Sequence, residues 1–255
     1  MYAFSLQSGS NGNCIFVDAD GVRLIFDAGI GAREAERRLQ AAGGTLRCAD
    51  ALIISHNHTD HVRSAGAFHR LFGVPLYMTH GTQEVVRHVL GRTEPVGCFR
   101  PGRTLRFGEV AVQTVPTPHD GAEGVAFVVE QEGRRLGILT DLGHVFAGLE
   151  RLLPTLDAVL IESNYDPDML EDGPYPRELK ERIRGPGGHI SNEESAALLA
   201  ASANGRLQWA CLAHLSETNN TPRLALAAHR AVLGKRLPLH VASRYESTGP
   251  LEVGL

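Results

Sequence analysis

Leu52-Ile53-Ile54-Ser55-His56-Asn57-His58-Thr59-Asp60-His61 decides how this chain is read. Three apolar residues read as a buried strand, and they run into four metal-ligating side chains in the loop at its end. His56 and His58 are two apart, so in an extended segment their rings project to the same side and can grip one ion. Asp60 and His61 follow once the chain has turned, and they face a second position. Two imidazoles for one ion, with a carboxylate and an imidazole for its neighbour, suit zinc or a similar borderline divalent cation. Histidines at strand ends are often only solvated. H-x-H-x-D-H behind an apolar strand, however, carries a mechanism, and metal binding is the favoured reading.

The whole chain sets the bounds around that stretch. It has 255 residues, 43% hydrophobic and 21% charged, with a formal net charge of -4. This suits one large α/β domain spanning residues 1–255. No run of about 18 apolar residues occurs, and the first residues lack a signal peptide's basic and apolar regions. A cytoplasmic protein without membrane contact is expected, and no stable protein partner is readable. The slightly acidic balance gives no global footprint for nucleic acid, although a local basic patch stays possible. Cys14, Cys48, Cys98 and Cys211 lie far apart with no C-x-x-C, so neither a disulfide framework nor a zinc ribbon is implied.

Upstream, Tyr2–Leu6 reads as a strand, and Cys14–Val17 with Arg23–Phe26 as a hairpin that stops at Asp27-Ala28-Gly29. Asp27 reads as an N-cap for a helix over Ala32–Ala42, and also as a brace for metal-binding histidines; the two roles are compatible. Downstream, helices are expected over Ser64–Leu71 and Thr82–Leu90, with a strand at Pro75–Met78 between them. A strand-rich stretch from Cys98 ends in Val115-Pro116-Thr117-Pro118-His119, where two prolines hold the loop extended. His119 is the favoured third nitrogen ligand. A hairpin of Val125–Glu130 and Arg135–Thr140 stops at Asp141. An acid ending an apolar strand is costly to bury without a cation, so Asp141 reads as a bridge between two ions or, equally, as an N-cap.

Two more apolar strands, Leu156–Ile161 and Gln208–Leu212, lead into Glu162 and His214. Between them, Arg177, Lys180, Arg182 and Arg184 form either a strip for a nucleic-acid backbone or a solvated helix face paired with Glu178 and Glu181. His189 precedes a capping box, Ser191 with Glu194, whose helix start would suit a phosphate. Tyr165 and Tyr175 are the nearby aromatic candidates for stacking bases. A helix over Pro222–Leu233 and a strand over Leu239–Ser243 complete the chain.

Laid out in order, Asp27, His56-x-His58-x-Asp60-His61, His119, Asp141 and His214 resemble the signature of the metallo-β-lactamase superfamily along nearly the whole chain. The resemblance implies a four-layer αβ/βα sandwich, two facing mixed sheets with outer helices and metals at one rim. It implies one metal on His56, His58 and His119, another on Asp60, His61 and His214, and Asp141 bridging them. Asp141 stands where two-zinc β-lactamases usually carry Cys, and His56-Asn57-His58 departs from the H-x-E of flavodiiron proteins. Ser8-Gly9-Ser10-Asn11-Gly12-Asn13-Cys14, Thr140-Asp141-Leu142-Gly143-His144, Gly188-His189-Ile190-Ser191-Asn192-Glu193 and His214-Leu215-Ser216-Glu217 are more specific. Together they resemble the bacterial YycJ/WalJ-type group, associated with 5′ exonuclease activity on DNA. In that group His189 resembles the histidine contacting the scissile phosphate, and Glu162 the acid supporting it.

The expected chemistry is two-metal phosphodiester hydrolysis, with zinc or manganese lowering the pKa of a bound water to about 7. Asp60 and Asp27 join His189 and Glu162 in the catalytic set, while Ser191, Lys180 and Arg182 join His189 in contacting substrate. The alternative is a small-molecule hydrolase of thioesters or lactones on the same metals. A non-catalytic metal-binding scaffold is the third class, disfavoured by the complete ligand set.

Overall fold

The computed structural model describes residues 1–93, 95–202 and 205–254. The first half lays down β1 (Tyr2–Gln7), β2 (Cys14–Ala19), β3 (Val22–Phe26), β4 (Ala51–Ile53), β5 (Leu76–Thr79) and β6 (Val96–Phe99). Helices α1 (Ala32–Ala41), α2 (Thr59–Val62), α3 (Ala65–Phe72) and α4 (His80–Leu90) lie between them. The second half supplies β7 (Thr104–Phe107), β8 (Val110–Pro116), β9 (Val125–Gln131), β10 (Arg134–Leu139), β11 (Ala158–Glu162), β12 (Trp209–Ala213) and β13 (Leu239–Val241). Its helices are α5 (Ala147–Leu152), α6 (Pro167–Asp172), α7 (Arg177–Arg184), α8 (Asn192–Ser202) and α9 (Pro222–Leu233). A last strand, β14 (Leu251–Glu252), crosses back to the first half and pairs antiparallel with β1.

Two seven-stranded mixed sheets result, ordered β14-β1-β2-β3-β4-β5-β6 and β13-β12-β11-β10-β9-β8-β7. In each, antiparallel hairpins give way to parallel strands: β3 to β6 in one, β10 to β13 in the other. Both hairpin turns flagged by glycine adopt left-handed pairs, Asp20-Gly21 and Glu132-Gly133, whose twist matches that of the flanking strands.

Period-two alternation decides the layers. Along β9, Val125, Phe127 and Val129 enter the core between the sheets, while Ala126 and Val128 enter the one behind. Along β3, Leu24 and Phe26 face inward and Ile25 outward. Helices α1, α3 and α4 cover the outer face of the first sheet through Leu39, Phe68 and Val86. Helices α5, α8 and α9 cover the second through Leu149, Leu199 and Leu233. The layers therefore run αβ/βα, as the resemblance implies.

Local differences from the sequence reading have local causes. Helix α4 begins at His80, not Thr82, because Thr79 caps it by accepting from Thr82 N–H. The histidine loop contains the short helix α2 and is not wholly irregular. Leu239–Ser243 is not the closing strand: β14 follows it, too short for alternation to show.

The Phe26 and Phe127 rings meet across the sheets with centroids 5.0 Å apart. Phe127→Ala is expected to lower unfolding stability by about 3–5 kcal/mol, read as a fall in the urea midpoint. A loss under ~1 kcal/mol would mean that this contact does not clamp the sheets.

Candidate metal centre

Strand ends at one rim carry the ligand-type side chains: Asp27 after β3, His56 and His58 after β4, His119 after β8, Asp141 after β10, Glu162 ending β11, and His214 after β12. Ligating atoms lie within 4.8 Å of one another in His56/His58/His119 and in Asp60/His61/His214. Asp141 lies between these triads. Its Oδ1 is 3.6 Å from His119 Nε2 and 3.5 Å from His214 Nε2, and its Oδ2 is 3.2 Å from His61 Nε2. Asp27, Asp141 and His214 all have left-handed backbones, with φ of 63°, 56° and 54°. Such strain in side-chain-bearing residues persists only where the surroundings over-determine it.

Hydrogen bonds orient the rings. Asp27 accepts from Ser55 N–H at 2.8 Å, from Ser55 Oγ at 3.0 Å and from His61 Nδ1 at 2.7 Å. Its carboxylate is thereby committed, and α1 is capped by Gly31 without any side-chain bond, so the N-cap reading of Asp27 falls. The N-cap reading of Asp141 falls too, since α5 starts only at Ala147 behind Phe146. Ser55 gives its one proton to Asp27, so His56 Nδ1–H is the donor in the 2.9 Å contact with Ser55 Oγ. His119 Nδ1–H donates to the Gly188 carbonyl at 2.8 Å, and His58 Nε2 lies 3.2 Å from Asp120 Oδ1. These bonds leave His119 Nε2 and His58 Nδ1 as lone pairs facing each other at 3.2 Å. Two facing lone pairs repel unless a cation lies between them. His56 Nε2 and Asp141 Oδ2 are buried without a hydrogen-bond partner. Unprotonated ring nitrogens beside an under-bonded carboxylate fit a divalent cation.

Electrostatics set the charge of each group in the metal-free protein. Burial holds the His56 ring well below the usual imidazole range, which keeps it neutral and able to ligate. Burial also pushes His61 down, but the carboxylates of Asp141, Asp27 and Asp60 outweigh it and hold that ring well above. Asp60 and Asp141, pushed up by burial, are held well below the carboxylate range by the surrounding histidines. Burial lowers His189, yet Glu162 wins and raises it to about 9. Glu162 is fully buried; its Oε1 lies 2.6 Å from His189 Nδ1, and its Oε2 accepts from Leu142 N–H and Ile190 N–H. His189 therefore turns its Nε2 edge away from Glu162. The ring lines a cavity of about 140 Å³ with His58, His119, Asp120 and Arg182.

The expected substrate contacts fare unevenly. Arg182 reaches the cavity, but it is paired with Asp120 at 2.7 Å. Lys180 donates to the Glu171 carbonyl, Arg184 pairs with Glu171, and Arg177 pairs with Glu181, so most of the strip is an ion-paired helix face. Ser191 is buried and accepts from Glu194 N–H, while the Glu194 carboxylate closes the cap. This puts Ser191 beneath the centre, and an acid stands at the helix end where the sequence suggested a phosphate. Tyr165 is buried, and the Tyr175 hydroxyl contacts Thr218.

Other contributors went unread. Asn13 Nδ2 lies 3.0 Å from His61 Nε2, and Asn164 Nδ2 lies 3.0 Å from His214 Nδ1. Ser8 Oγ accepts from His214 N–H. Their signal was weak: an Asn in a glycine-rich loop reads first as a turn former. Asp120 was legible only as the acid next to His119.

A two-sheet αβ/βα sandwich with a divalent-cation centre of histidines and aspartates at its rim defines a metal-dependent hydrolase. Residues 22–214 match the family described as Beta-lactamase superfamily domain. The chain is 30% identical over 233 residues to exodeoxyribonuclease YycJ of Bacillus anthracis, covering 91% of this chain and 88% of that one. It is 30% identical over 224 residues to exodeoxyribonuclease WalJ of Streptococcus pneumoniae, covering 86% and 83%. The crystal structure of the metallo-beta-lactamase fold protein YhfI from Bacillus subtilis superposes with a TM-score of 0.75 at 15% identity, covering 97% and 99%. The chain belongs to the metallo-β-lactamase superfamily, within its YycJ/WalJ-like group.

Asp27→Ala is expected to weaken zinc binding about 10- to 100-fold through loss of the support under His61. Competition with a chromophoric chelator reads this, and unchanged affinity would remove Asp27 from the site. In the metal-free protein, His189 should titrate near 9 by NMR and fall in Glu162→Gln, where burial is no longer outweighed by that carboxylate. The raised value means that this pair stabilises the metal-free fold fully below about pH 6.5, and the contribution is lost as pH rises through about 9.

Proposed function

We propose that the protein hydrolyses phosphodiester bonds in DNA as a two-metal exonuclease releasing nucleotides from the 5′ end. The observation that carries this reading is the His189–Glu162 pair, an imidazole braced by a buried carboxylate beside the metal centre with its free edge towards a cavity. In this reading residues 1–255 act as one domain, since both sheets contribute ligands. His56, His58 and His119 would hold one ion and Asp60, His61 and His214 the other, with Asp141 lying between the two triads. Zinc suits the imidazole-rich set, and manganese is compatible with the carboxylates. Bound ions supply Lewis acidity towards the phosphate and lower the pKa of water.

The chain's own residues do the rest. Asp27 keeps the proton of His61 on Nδ1, so Nε2 stays turned towards the centre. Glu162 accepts from His189 Nδ1 and favours the protonated ring. His189 Nε2–H then offsets charge on the phosphate as it grows and passes its proton to the leaving oxygen. Arg182 exchanges Asp120 for a backbone phosphate when a strand binds. A DNA substrate is in keeping with the names of the YycJ and WalJ relatives, and a cytoplasmic location is part of this reading.

The test is digestion of a 5′-phosphorylated, end-labelled DNA duplex by the zinc- or manganese-loaded enzyme. Stepwise release of 5′ products is expected, lost on chelation and restored by the metal. His189→Ala should lower the rate about 10²- to 10⁴-fold with metal content unchanged. No cleavage of DNA or RNA, alongside turnover of a thioester or lactone, would replace the reading with a small-molecule hydrolase.

A further inference from the structure

His58, His119, His189 and His214 stand in a row, with neighbouring ring centroids 4.9, 4.9 and 5.2 Å apart. The cavity holding Arg182 opens along the His58, His119 and His189 end. At the other end the chain runs from His214 straight into Leu215 and Ser216, which line a separate cavity of about 340 Å³. No residue of the metal centre lines it. Its size lies within the roughly 300–1,000 Å³ of small-molecule sites.

Leu215, Val241 and Ala242 give this cavity apolar walls, and Tyr245 stands at its side. Tyr245 is 63% exposed, the one exposed Phe, Tyr or Trp ring among the described residues. It is nevertheless anchored: its hydroxyl donates to Glu217 at 2.7 Å. Arg244 lies 3.7 Å from the same carboxylate, and its guanidinium donates to Asn11 Oδ1 and to the Leu215 carbonyl. The arginine thus offsets the charge of Glu217 beside the cavity. The lining hydroxyls accept from the protein, Ser216 and Thr221 Oγ from backbone N–H groups of Asn219 and Leu224 and Ser243 Oγ from that of Tyr245, and each keeps one O–H to donate. What the cavity offers is an apolar slot and a fixed ring face.

The geometry points to this cavity as a nucleobase site, taking the base of a nucleotide whose phosphate lies at the metal centre and stacking it on Tyr245. The inference rests on the nuclease reading and adds where a base goes. Stacking on a ring face is tolerant of sequence, as an exonuclease that degrades any strand requires.

Calorimetric titration of the metal-loaded protein with deoxyadenosine monophosphate and with deoxyribose 5-phosphate tests it, because the two differ only in the base. Wild type should bind the nucleotide about 5- to 100-fold more tightly, and the four deoxynucleoside monophosphates should bind alike. Tyr245→Ala should close the gap while melting at the wild-type temperature, and Tyr245→Phe should keep most of it. Equal binding of the two ligands by wild type, or a gap that survives Tyr245→Ala, overturns the base site. If oligodeoxynucleotide hydrolysis is intact in that protein, the nuclease reading stands. Loss of both binding and hydrolysis in wild type overturns the two together.

Discussion

Packing imidazoles and carboxylates against one another below the surface is tenable only if positive charge sits among them. Here His58 and His119 face each other through lone pairs, and three carboxylates converge on His61. Each ring's outer nitrogen is already tied: His56 to Ser55, His61 to Asp27, His119 to Gly188. The rings cannot relieve the cluster by changing tautomer without breaking those bonds. A divalent cation is the economical solution, and the surrounding fold is arranged to keep the cluster in that state of need.

The sandwich meets this demand through its parallel strands. Strands β3, β4, β10, β11 and β12 all end at the same rim, so residues far apart in sequence arrive within one ion's reach. Three of the chain turns there are left-handed at Asp27, Asp141 and His214, where the side chain must be aimed immediately after the strand stops. Close backbone approach completes the frame. A Cβ on Gly29 would lie 1.7 Å from the Asp60 carbonyl, so only glycine lets the loops after β3 and β4 touch.

Much of this was legible because two signals coincide: period-two alternation marks where strands end, and ligand-type residues stand at those ends. His56, His58, Asp60, His61, His119, Asp141 and His214 were all readable in this way. The remainder depends on contacts that no short window contains. Lys180 and Arg184 read equally as a strip for a nucleic-acid backbone or as a paired helix face, until Glu171, on another helix, proves to hold both. Tyr245 lies 31 positions beyond His214, and only the closing of the second sheet brings it beside that ligand's loop. Asn13 and Asn164 carry amides whose aim depends on the tertiary fold. Residue type discloses chemistry; partnership is a property of the packed chain.

Ligands drawn from both sheets give a bound ion a mechanical role. Pulling the sheets apart means releasing the metal, so the ion acts as a non-covalent cross-link between the two halves. Free metal at a hundred times its dissociation constant adds about 2.7 kcal/mol per site to the folded state. Resistance to proteolysis then tracks the supply of metal in the cell, and scarcity shortens the protein's lifetime as well as silencing its chemistry.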